Sequence, residues 1–117
     1  MTLRLVYIDD EVELGELMQE FMHDQDVALR CFDKEQDAIE FCRENTPDLV
    51  LIDYRLRHMT GVDVARQLPP NIPKILVTGE LELPKCDEFQ QVISKPFDFK
   101  VIIKLITEAV SAQQLAE

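Results

Sequence analysis

Asp48-Leu49-Val50-Leu51-Ile52-Asp53 is the stretch from which the fold can be read. It is a continuous apolar run that ends on an acid. A run so short and so uniformly apolar reads as a strand covered on both faces, which is the habit of parallel sheets. Working outward, four more runs of this kind alternate with helix-like segments: Leu3 to Ile8, Val27 to Phe32, Ile72 to Val77 and Val92 to Ser94. Between the first two, Asp10 to Asp24 carries Leu14, Leu17, Met18, Phe21 and Met22 at helical spacing. Asp33, with Gln36 three residues on, is an N-cap candidate for a helix bearing Ala38, Ile39, Phe41 and Cys42. Thr60 is the N-cap candidate of a short helix with Val62, Ala65 and Leu68, stopped by Pro69-Pro70. Asp98 opens a last helix through about Gln113, with Ile102, Leu105, Ile106 and Ala109 on its core face.

This βα alternation predicts an α/β, flavodoxin-like fold: a five-stranded parallel sheet in the order 2-1-3-4-5, with helices on both faces. The pattern weakens between Thr78 and Lys95. Only Lys85 to Gln91 has the makings of a helix there, so the fourth helix is expected to be short or irregular. The 117 residues suit a single domain spanning 1–117. Hydrophobic residues make up 46% and charged residues 30% of the chain, the balance of a soluble globular protein. No apolar run approaches the roughly 18–20 residues of a membrane span. Met1-Thr2-Leu3-Arg4 leads straight into a strand without a signal-peptide pattern, so a cytoplasmic location is expected.

A net charge of −11 argues against direct nucleic-acid binding, which requires clustered Lys and Arg to displace counterions. It favours a metal cation or a basic protein surface. Cys31, Cys42 and Cys86 are widely spaced, without a C-x-x-C pair, and His23 and His58 stand apart from them. A disulfide framework or zinc site is therefore not expected. Cys31 and Cys42 read as small core residues. Met18 and Met22 read as core on helical spacing.

Ligands of open parallel α/β sheets bind outside the carboxyl ends of the strands. Four of the five runs end there on polar residues: Asp9-Asp10, Asp53, Thr78 and Lys95. Carboxylates within about 5 Å of one another repel by roughly 3 kcal/mol per pair at an effective dielectric near 20. A hard divalent cation offsets this, and Mg²⁺ takes one or two carboxylates together with waters and a phosphate oxygen. Lys95 adds an ammonium and Thr78 a hydroxyl donor. The set fits the oxygens of a phosphoryl group in transfer, with a carboxylate as nucleophile. Asp53 stands alone, facing Thr78 and Lys95, and is the acceptor. Asp9 and Asp10, adjacent at a helix start, form the metal seat.

The chain resembles the receiver domains of two-component response regulators along nearly its whole length. The resemblance rests on Ile8-Asp9-Asp10, on Leu49 to Asp53, on Met59-Thr60-Gly61 eight residues past Asp53, on Val77-Thr78-Gly79 and on Ser94-Lys95-Pro96-Phe97. It implies that Asp53 is the phosphoacceptor, Asp10 a direct Mg²⁺ ligand and Asp9 a ligand through water. The backbone carbonyl of Arg55 would complete the metal site. Thr78 and Lys95 would contact the phosphoryl group, and Lys95-Pro96 would be a cis peptide. The donor would be a phosphohistidine on a sensor histidine kinase or histidine phosphotransfer protein. Such a domain catalyses only its own phosphorylation and dephosphorylation. A homodimer or an attached output domain is compatible with this role.

Three features depart from the family pattern. Val92 stands where receivers usually carry an aromatic switch residue, the segment from Thr78 to Lys95 is shorter than usual, and Arg57 replaces a common Pro. They admit a second reading, a receiver-like protein-binding module without phosphorylation-dependent switching. A haloacid-dehalogenase-like phosphatase fits less well: Asp9 and Asp10 are adjacent rather than in an Asp-x-Asp motif, and the chain lacks room for a cap domain. Arg55 and Glu80, of opposite charge and each two residues past a site residue, are expected to pair across the site's mouth and slow water's attack on the acyl phosphate.

Overall fold

The computed structural model describes residues 3–24, 27–80, 88–95, 98, 100–105 and 107–108. Strands β1 (Leu3–Ile8), β2 (Val27–Phe32), β3 (Leu49–Asp53), β4 (Lys74–Thr78) and β5 (Gln91–Ser94) form one sheet in the order β2-β1-β3-β4-β5. Every neighbouring pair is parallel. The expected topology is therefore the observed one. Helices α1 (Val12–Phe21), α2 (Glu35–Glu44) and α3 (Gly61–Gln67) are the crossovers, and residues 100–105 and 107–108 are also helical.

Side chains alternate across a strand with period two, so each strand feeds two cores. Leu3, Leu5 and Tyr7 of β1, with Leu49 and Leu51 of β3, pack against Met18 and Met22 from the α1 side and against Ile102. Val6, Ile8, Val50 and Ile52 face the other way, onto Ala38, Ile39 and Cys42 of α2 and Val64 and Ala65 of α3. β3 is buried at every position, as its uniform composition predicts. Helices thus cover both faces of the sheet.

Local signals were kept at some helix ends and overruled at others. Thr60 caps α3: its hydroxyl accepts the Asp63 N–H at 3.2 Å, and Asp63 accepts the Thr60 N–H at 3.1 Å. This is a full capping box. Asp33 does not cap α2. The N-cap is Lys34, without a side-chain bond, and Gln36 turns outward to Glu40 instead. The buried Glu35 in the first turn supplies the negative charge that a helix N-terminus favours. α1 begins at Val12, two residues past Asp10, because the Asp9 carboxylate accepts the Glu11 N–H at 2.9 Å and holds the chain in a turn. Asp98 does open the last helix, accepting the Lys100 N–H on its side chain at 2.9 Å.

Residues 88–90 are turn and bend and Gln91 is already in β5, so no helix runs through to Gln91. The remainder of the expected fourth helix, with Cys86, lies outside the described residues. So do Pro96, Ile106, Ala109 and Val110. Cys42 is buried and Cys31 half-buried, both as free thiols. His23 and His58 are exposed.

Candidate functional site

The sheet registers bring the strand ends to one edge. Ile8 is level with Ile52, Asp53 with Val77, and Thr78 with Ser94. The next residues, Asp9 after β1 and Lys95 after β5, therefore converge on Asp53 at the end of β3. Asp9, Asp53 and Thr78 are three of the few buried polar residues among those described.

The geometry is that of a crowded acidic pocket. One carboxylate oxygen from each of Asp9, Asp10 and Asp53 lies within 4.8 Å of the other two. The Lys95 ammonium reaches across the pocket, 2.9 Å from Asp53 Oδ1 and 3.2 Å from Asp9 Oδ2. Three formal negative charges thus face one positive charge. Burial is the main reason that the Asp53 carboxyl is pushed up to about 6; Asp9 and Asp10 add to the rise and Lys95 opposes it. Burial by itself would lower Lys95, but its bond to Asp53 and the nearby Asp9 outweigh that and raise it. A group that stays cationic beside a carboxylate that resists ionising is the electrostatic signature of a functional pocket.

The other site residues surround this core. The Thr78 hydroxyl oxygen accepts the Glu80 N–H at 2.9 Å, which leaves its own proton for another acceptor. A cavity of about 360 Å³ opens above Asp53, with Asp10, Thr78, Lys95, Arg55 and Glu80 in its walls. Arg55 Nε donates to Glu80 Oε1 at its rim, so the two meet as their charges suggested. Gly61, the last residue of the Met59-Thr60-Gly61 motif, lies against the end of β3. A Cβ there would sit 2.5 Å from the Asp53 carbonyl oxygen. Its N–H donates to the Tyr54 carbonyl at 2.7 Å, which folds the β3–α3 loop back beside Asp53.

Several buried polar contacts, at the site and away from it, were not anticipated from sequence. The Tyr7 hydroxyl donates to Asp9 Oδ2 at 2.5 Å. The signal was present: Asp9 stands two residues past Tyr7, just beyond the end of β1, where period-two spacing puts both on one face. Glu35 accepts the Arg57 N–H at 3.0 Å, tying α2 to the loop after Asp53. Nothing local marks it, because the two residues are 22 apart in the chain. Lys74 is buried at the opposite end of the sheet and donates to the carbonyls of Pro69 and Ile72. Its apolar stem continues β4 while its ammonium closes the turn after α3.

Three carboxylates at this separation have the oxygen donors and the excess charge that a hard divalent cation needs, so the residues present fit Mg²⁺.

Comparison with known proteins agrees with this fold. The family model of the response regulator receiver domain matches residues 5–107. The transcriptional regulatory protein BaeR of Escherichia coli O6:H1 is 26% identical over 83 residues, covering 69% of this chain and 35% of BaeR. The regulatory protein AtoC of Escherichia coli K12 is 25% identical over 121 residues, covering 96% of this chain and 26% of AtoC. The chain thus spans about a third or less of the curated relatives it matches. Among solved structures, a receiver domain protein from Methanospirillum hungatei JF-1 superposes with a TM-score of 0.87 at 18% identity, covering 100% of both chains.

Proposed function

Because the chain belongs to the response regulator receiver domain family, a family of signalling modules, we propose that it is phosphorylation-controlled and takes a phosphoryl group onto Asp53 from a histidine kinase or histidine phosphotransfer protein. The observation that carries this reading is the Lys95 ammonium held between Asp53 and Asp9 at the end of the sheet. Asp10 and Asp53, Asp9 through water and the Arg55 carbonyl would hold Mg²⁺. When bound, the ion supplies positive charge beside the phosphoryl oxygens.

The chain's own residues account for the rest. An oxygen of Asp53 forms the new O–P bond as the P–N bond to the donor imidazole breaks, and the imidazole leaves with the electron pair. Lys95 stays beside the phosphoryl group and offsets its charge. Thr78 donates its free hydroxyl proton to a phosphoryl oxygen. Water later attacks phosphorus, the O–P bond to Asp53 breaks, and inorganic phosphate leaves with Asp53 restored as the carboxylate, with no separate substrate. The paired Arg55 and Glu80 narrow the way in for that water. The domain occupies residues 1–117 and works in the cytoplasm. An output domain joined to it or a second copy would receive the signal.

The second reading, constitutive binding without switching, draws support from Val92. This residue is 50% exposed on β5 and has no ring to move between a buried and an exposed position. One experiment separates the two. Incubation with a small phosphoramidate and Mg²⁺ is expected to add one phosphoryl mass to the wild type and none to Asp53→Asn. Absence of uptake by the wild type favours the constitutive module.

A further inference from the structure

Asp9 is more heavily engaged than a cation ligand needs to be. A carboxylate offers about four acceptor directions. In Asp9, Oδ1 accepts the Glu11 N–H at 2.9 Å, and Oδ2 accepts both the Tyr7 hydroxyl at 2.5 Å and the Lys95 ammonium at 3.2 Å. Both Tyr7 and Asp9 are buried, at 1% and 3% exposure. The phenol belongs to the buried cluster of Leu5, Met18 and Leu51, and its oxygen meets Asp9 Oδ2. A hydroxyl bonded to an ionised carboxylate out of water is a short, charge-assisted contact. It draws negative charge from the oxygen that also binds Lys95, and it fixes where that oxygen points.

We propose that Tyr7 is a positioning residue, which pins Asp9 toward Lys95 through its hydroxyl and thereby weakens the pocket's hold on a divalent cation. The hydroxyl does not touch the cation or the phosphoryl group; it acts through Asp9. Deleting it returns an acceptor direction and negative charge to the carboxylate cluster, so cation affinity rises. Damage to the packing would do the opposite, because loosened carboxylates bind a cation less well. The sign of the change therefore separates positioning from mere filling of the core.

This inference rests on the pocket being a cation site, and calorimetric titration with Mg²⁺ tests the two separately. Four chains are compared: wild type, Tyr7→Phe, Asp9→Asn and the double variant. Tyr7→Phe is expected to bind Mg²⁺ about threefold to tenfold more tightly than wild type. On the Asp9→Asn background the same substitution is expected to change nothing, since the contact it removes has already lost its charge. Tyr7→Met, which also deletes the hydroxyl, gives the same comparison if the phenylalanine chain does not fold. Unchanged or weaker binding by the hydroxyl-free chain overturns the role of Tyr7, as does an equal gain in both backgrounds. A wild type that binds no Mg²⁺ overturns the cation site and the inference together.

Discussion

At the scale of single residues, the pocket is held at some cost to stability. The Asp53 carboxyl titrates near 6 in the folded chain, against 3.8 for the free group. Between those values the folded state binds the proton more strongly than the unfolded chain, so stability falls as pH rises through that window. With the open mouth of the pocket screening part of the effect, ionised Asp53 costs about 1–2 kcal/mol at neutral pH. Asp53→Asn is therefore expected to melt a few degrees above wild type at pH 7 in the absence of divalent ions, and to show little difference at pH 4. A variant that is less stable at pH 7 would contradict this. Ionised Asp53 thus works against folding, a cost of the kind that functional sites carry. At the rim, the proposed role of the Arg55–Glu80 pair concerns the lifetime of the product rather than its formation. Arg55→Ala is expected to shorten the acyl-phosphate half-life about twofold to tenfold, a range set by one lost charge-assisted contact. A half-life that lengthens in the variant refutes the gate.

At the scale of elements, the β3–α3 connection carries most of the constraint. Thr60 and Asp63 close the capping box, Gly61 N–H bonds back to Tyr54, and Glu35 holds the Arg57 N–H from across α2. The close approach of Gly61 to the Asp53 carbonyl leaves no room for a side chain. Gly61→Ala would have to push apart α3 and the end of β3. It is expected to lose about 1–3 kcal/mol in chemical denaturation and also to slow phosphoryl uptake, because the displaced atom belongs to the backbone of Asp53, the proposed acceptor. Loss of stability with unchanged uptake would mean that the strain relaxes into α3 alone. The capping box was legible in sequence as Thr60 three residues before an acid. Asp33 misled because its local pattern is equally good, yet the chain enters α2 through Lys34 with Glu35 buried behind it. A cap signal is local; which candidate is used depends on where the helix must lie against the sheet.

At the scale of the whole molecule, 23 acidic residues against 12 basic ones leave the surface strongly negative, and the pocket concentrates that excess. A cation that binds only the folded pocket should stabilise the chain by about 1.4 kcal/mol at tenfold its dissociation constant. The melting temperature is expected to rise with Mg²⁺ in the wild type and to lose most of that rise in Asp10→Asn. Equal rises in both would indicate general screening rather than a site. The sheet is what makes the pocket possible. The alternation of apolar runs and amphipathic segments determined, from sequence alone, the parallel sheet, its order and the edge on which Asp9, Asp10, Asp53, Thr78 and Lys95 would meet. This was legible because burial period and strand polarity are written locally, and right-handed crossovers leave few ways to assemble them. Only the tertiary structure decided the partners: that Lys95 bridges Asp53 and Asp9, that Tyr7 holds Asp9 from beneath, that Glu35 reaches Arg57, and that Lys74 closes a turn from inside the fold. Most of these contacts join residues far apart in the chain, and all depend on which oxygen or nitrogen points where. Spacing along a sequence places a side chain on a face; packing against the rest of the molecule selects the atom it meets.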